Sequence, residues 1–157
     1  MLTNEITGVV LAGGKSQRMV KNKALLTLDN KTFIAPVTDV LKACFQETII
    51  ISDKEEESLS LSLSLGCPIF PDILKNVGSL AGIHSVLTNS KTERVFISSC
   101  DMPMINTNMI EYLLGYLTRE LILIVKYKNR IQPLFVVYPK ILLDKLNPSL
   151  IIGNNKL

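Results

Sequence analysis

The sequence has one histidine in 157 residues. His84 lies beside Ile83, Val86 and Leu87, so a packed or half-exposed helix residue is a simpler reading than a catalytic base. No Ser/His/Asp or Cys/His arrangement can be named around it. Cysteine is scarce and odd in number: Cys44, Cys67 and Cys100 have neither CxxC nor zinc-ligand spacing. A reducing, cytoplasmic setting is the expectation. No apolar run approaches the roughly 18–20 residues that cross a bilayer, so no membrane partner is expected. The start MLTNEITGVV lacks the basic head and long apolar stretch of a signal peptide. The net charge of +3 suits a small anionic ligand, and without a basic stripe it does not argue for nucleic acid.

What is present reads as one globular domain over 1–157, with 47% hydrophobic and 20% charged residues. Short β-branched runs recur at 6–12, 47–52, 68–70, 94–100, 120–127 and 132–138. Unbroken apolar runs of this length suit strands buried on both faces. Helical spacing appears between them, over Thr32–Phe45, Ser79–Leu87 and Thr107–Leu117. The alternation predicts a three-layer α/β/α sandwich with a mostly parallel, mixed sheet. KNRIQPLFVVY after ELILIVKY predicts a β-hairpin and antiparallel final strands. EEESLSLSLSLG (55–66) alternates like a strand, yet a parallel connection there needs a crossover, and a helix is expected.

The stretch VVLAGGKSQRMVKNKALL (9–26) contains GGKS. A Walker A loop needs a glycine five positions before Gly14. That position is Val9, and Gly8 is one residue too far. The GxGxxG fingerprint fails as well, because the residues just after Gly14 do not supply its later glycines. What remains is a strand, Gly13-Gly14 and a basic loop. Its N–H groups can nest an anion while Lys15, Arg18 and Lys23 neutralise it. A surface turn with solvated lysines reads equally well.

ISSCDMP ends another strand run at Asp101. A carboxylate there can hold Mg²⁺ together with substrate phosphates, or serve as a helix cap or turn residue before Pro103. Asp72 in FPD ends a third run with the same two readings. Gly78 and Gly82 bracket GSLAG, where they allow close ligand approach or close packing.

In order, LAGGKSQRM…NKALL, FPD…GSLAGI, SSCDMP and QPLFVVY resemble the molybdenum cofactor guanylyltransferases, nucleotidyltransferases of Rossmann-like fold. The resemblance covers about residues 6–145. It implies Mg²⁺-dependent transfer of GMP from GTP to molybdopterin, with release of pyrophosphate. It implies nucleotide contacts at Leu11, Ala12, Gly13, Gly14, Ser16, Lys23, Ser52, Asp72, Gly78 and Asp101. It implies catalytic roles for Lys23, Arg18 and Asp101, with Asp101 as the metal ligand. Cofactor-handling proteins or client molybdoenzymes are implied as further partners. The chain departs from the family at Val20, where glycine is usual, and at Asn22, where aspartate is usual. The family's asparagine-rich C-terminal segment is expected to be missing, since the chain closes on IIGNNKL with Asn154 and Asn155. Two competing readings are a related enzyme using CTP or another acceptor, and a GTP-binding protein without transferase activity.

Overall fold

A computed structural model describes residues 2–12, 27–28, 31–32, 34–52, 58–73, 79–102, 104–118 and 122–146. The first strand, β1 (Ile6–Leu11), is buried along its whole length. It pairs in parallel with β4 (Glu47–Ser52) on one side and β6 (Arg94–Ser99) on the other. β5 (Ile69–Pro71) extends the sheet beyond β4, again in parallel. On the far side, β8 (Arg130–Pro139) runs antiparallel to β6, and β7 (Leu123–Tyr127) antiparallel to β8. The order is β5-β4-β1-β6-β8-β7. A separate two-stranded ribbon joins β2 (Thr27–Leu28) to β3 (Lys31–Thr32).

The central strands are apolar at successive positions because both faces are covered. One face holds Ile6, Val10, Ile50 and Phe96, packed under α1 (Ile34–Cys44), α2 (Ser58–Leu65) and α4 (Thr107–Leu114). The other holds Val9, Leu11, Ile49 and Ile97, packed under α3 (Ser79–Asn89) and a 3₁₀ turn at Lys140–Lys145. Three layers result, as the sequence predicted. Phe96 centres the first face, 5.5 Å from the Phe45 ring and 5.2 Å edge-on to Phe135. Gly8 makes room for this stack, since a Cβ there would lie 2.7 Å from Phe45 Cδ2.

The differences from expectation have physical causes. The first helix starts at Ile34, because Thr32 is in β3 opposite Thr27. α4 ends at Leu114, and the expected extension to Leu117 tightens into i→i+3 bonds, Tyr116 to Leu113 and Leu117 to Leu114. The Leu/Ser alternation forms a helix as expected, but a period of two distributes leucines around it. Leu61 and Leu65 pack on the core while Leu63 is 77% exposed. The expected hairpin turns at Lys128 and Asn129, both at positive φ.

Candidate active site at the carboxyl edge of the sheet

The chain leaves β1, builds β4 and β5 outward, then returns to β6 on the other side of β1. Such a reversal opens a crevice beyond the carboxyl ends of the two strands, where α/β proteins take ligands. Backbone bonds knit this edge beyond the strands. The Ala12 N–H donates to Ile51 O at 2.8 Å, the Cys100 N–H to Leu11 O at 3.1 Å, and the Asp72 N–H to Ser52 O at 3.0 Å. Five expected site residues, Leu11, Ala12, Ser52, Asp72 and Asp101, therefore fall on one edge. Leu11, Ala12 and Ser52 are buried there, so Leu11 and Ala12 present mainly backbone.

Asp101 follows β6 in a turn closed by the Met102 N–H on Ser99 O at 3.3 Å. It is exposed, and among the described residues nothing holds its carboxylate. The helix-cap reading of Asp101 does not hold. Asn106 caps α4 instead, its Oδ1 accepting from the Met109 N–H at 2.9 Å. Asp72 differs: its Oδ1 lies 2.6 Å from the Ser85 hydroxyl, which also accepts from the Ile73 N–H at 2.8 Å. This bridge fastens the end of β5 to α3. Ser85 had a legible signal, a hydroxyl among apolar helix residues that needs a partner once buried.

Gly82 resolves toward close packing. A Cβ there would sit 3.4 Å from Leu11 Cδ2, the approach of α3 to β1. His84 is half-buried on α3, as read from the sequence, and its buried Nδ1 has no hydrogen-bond partner among the described residues. Lys23, Arg18, Gly13, Gly14, Ser16 and Gly78 lie outside the described residues, as do Lys15, Val20 and Asn22.

Protonation is perturbed away from this edge. Burial pushes the Cys67 thiol and the Tyr138 phenol up from their ordinary values. None of the three cysteines forms a disulfide. Among the described residues no group of three or more His, Cys, Asp or Glu is placed to hold a metal. A lone exposed carboxylate beside a phosphate crevice still suits Mg²⁺, which takes one or two carboxylates and completes its shell with substrate phosphates and water. No helix among the described residues is long and apolar enough to cross a membrane.

A carboxylate at the switch point of a Rossmann-like sheet, with a glycine-rich basic stretch following β1 in the sequence, points to the nucleotidyltransferase class. Comparison with known proteins makes this specific. The profile of the MobA-like NTP transferase domain matches residues 8–156. A relative from Clostridium perfringens strain 13, named probable molybdenum cofactor guanylyltransferase, is 39% identical over 96% of this chain and 74% of its own. One of the same name from Pelotomaculum thermopropionicum is 35% identical over 93% of this chain and 69% of its own. The solved molybdopterin-guanine dinucleotide biosynthesis protein A of Archaeoglobus fulgidus superposes with a TM-score of 0.77 at 28% identity, over 96% of this chain and 75% of its own. The chain belongs to the MobA-like NTP transferase family, in which its named relatives are molybdenum cofactor guanylyltransferases.

Proposed function

We propose that this enzyme transfers GMP from GTP to molybdopterin and releases pyrophosphate. The geometry contributes the Asp101 carboxylate, exposed at the β1–β6 crevice and without a partner among the described residues. The names of the relatives supply the two substrates. In this reading an oxygen of the acceptor's terminal phosphate attacks the α-phosphorus of GTP. One P–O bond forms, the bond to the β-phosphate bridge breaks, and the electron pair leaves with pyrophosphate.

Little covalent chemistry is asked of the protein, and positioning with charge stabilisation carries the rate. Leu11 and Ala12 offer backbone groups to the nucleotide, and Ser52 and Asp72 mark its nucleoside side. Lys23 and Arg18 neutralise charge that develops on the phosphates. Asp101 would hold Mg²⁺, which when bound neutralises phosphate charge. The cysteines, none of them in a disulfide, accord with a cytoplasmic enzyme.

The test is pyrophosphate release from GTP with and without molybdopterin, beside thermal shifts with GTP, CTP, ATP and UTP. Release that depends on the acceptor, and a rise in melting temperature selective for GTP, are expected. A CTP-selective shift would move the reading to a related transferase. GTP binding without release would make the protein a non-catalytic binder.

A further inference from the structure

The hairpin β7–β8 reaches past the sheet it belongs to. β8 last pairs with β6 at Phe135 opposite Ser98. From there it runs back to Arg130, which pairs with Tyr127 across the turn. β8 bulges on the way, so the reach is measured along β7: Ile124 stands level with Val136, and three further residues at about 3.3 Å each carry the tip at Tyr127 about 10 Å beyond that level. β7 runs parallel to β6, so this overhang is on the carboxyl edge, on the Asp101 side of the crevice. A register shift between Ile124 and Val125 falls where the ribbon leaves the sheet. Bulges at such positions bend and twist a ribbon, and they recur beside active sites.

The overhang has a distinct chemistry. Lys126, Lys128 and Arg130 are all exposed, and no acidic residue occurs between Leu123 and Leu134. Among the described residues no carboxylate pairs with any of the three cations. Tyr127 between them is 62% exposed, with Lys128 Nζ 5.4 Å from its ring centre. The turn itself is unfavourable for its sequence. Lys128 has φ 44° at a position where asparagine, aspartate or glycine normally supplies positive φ. A lysine retained there is not explained by the turn, and such departures cluster at functional sites.

We infer that this hairpin tip binds the acceptor, a pterin ring system bearing a phosphate, through Lys128, Arg130 and the Tyr127 ring, Arg130 sharing the face of Tyr127 across the ribbon. The inference rests on the transferase reading above. The nucleotide takes β1 and the β4–β5 side, where Ser52 and Asp72 lie. A second phosphorylated substrate must then approach from the β6 side, and the cations of the hairpin stand there. The aromatic face stacks the pterin ring system while the flanking cations meet its phosphate.

The test compares wild type with the double variant Lys128→Asn, Arg130→Ser. Pyrophosphate release gives KM for molybdopterin and for GTP. Equilibrium binding of molybdopterin without nucleotide gives acceptor affinity apart from turnover. The variant should raise the acceptor KM and Kd about tenfold or more and flatten their salt dependence, leaving the GTP thermal shift unchanged. Lys128→Asn alone should weaken acceptor binding while its melting temperature stays equal or rises, which a merely structural role would not produce. Unchanged acceptor KM and Kd overturn the inference while the transferase reading stands, and so does equal loss for GTP and acceptor. Wild type that binds molybdopterin in a variant-sensitive way without turnover keeps the inference and removes the transferase activity. Wild type that binds no molybdopterin overturns both.

Discussion

The two edges of the sheet are finished in opposite ways. At the amino edge, polar side chains satisfy one another. The Thr7 hydroxyl lies 2.7 Å from both Glu47 Oε2 and Thr92 Oγ1, and the Thr7 N–H donates to Thr92 Oγ1 at 3.0 Å. Glu47 Oε1 also faces Lys91 Nζ at 3.7 Å. At the carboxyl edge the backbone does the joining, and among the described residues nothing pairs with Asp101. One carboxylate, Glu47, is committed to architecture, and the other, Asp101, is available to a ligand. Asp72 stands between these cases, on the ligand edge but bound to Ser85. Location alone therefore does not separate a functional acid from a structural one, whereas the partners of its oxygens do.

The contrast can be broken experimentally. Asp101→Ala and Lys23→Ala should each lower pyrophosphate release by about 100-fold or more, as loss of one preorganised charge contact does. Melting temperature should hardly move in Asp101→Ala, because no described residue pairs with that carboxylate. Near-normal turnover in both variants would sink the assignment. Gly8→Ala should show the reverse profile. Its Cβ would meet Phe45 at 2.7 Å, so about 1–3 kcal/mol of stability should disappear in denaturant titrations, through overpacking. A stable Gly8→Ala protein would mean that the Phe45–Phe96 stack gives way easily.

Thr7→Val is the matching change at the amino edge. It removes a hydroxyl from a buried network, and a cost of about 1–2 kcal/mol is expected, with GTP affinity untouched. Loss of GTP affinity would show that the two edges communicate through β1. The smallest effect concerns pH. Cys67 and Tyr138 hold their protons more tightly when folded, because burial disfavours the anions. Their contribution is complete below the ordinary thiol and phenol values of 9.0 and 10.0, and is lost as pH rises past them. Stability should therefore decline above about pH 9, more shallowly in Tyr138→Phe. An unchanged alkaline slope in that variant would remove Tyr138 as a contributor.

Much of this was legible in the residues. Unbroken runs such as TGVVL and VFIS announce strands covered on both faces, and the helical spacing between them announces the covering layers. The ends of those runs then point to Asp72 and Asp101, and the family resemblance adds Leu11 and Ser52. KNR marks the hairpin, though without revealing how far it overhangs. Contacts distant in sequence were not legible. Nothing local links Asp72 to Ser85 or Thr7 to Glu47 and Thr92. Nothing local gives Gly8 the task of admitting Phe45. His84 was read correctly as a half-buried helix residue, but its unpartnered Nδ1 was beyond reach.

The sequence by itself determined the alternation of elements and the two apolar faces, because period and composition act over a few residues. Strand order, the crevice between β1 and β6, and the reach of the hairpin were decided by the tertiary structure. Pairing partners and registers are set by the packing of segments far apart in the chain. Only that packing determines which polar atoms find partners and which, like the carboxylate of Asp101, find none among the described residues.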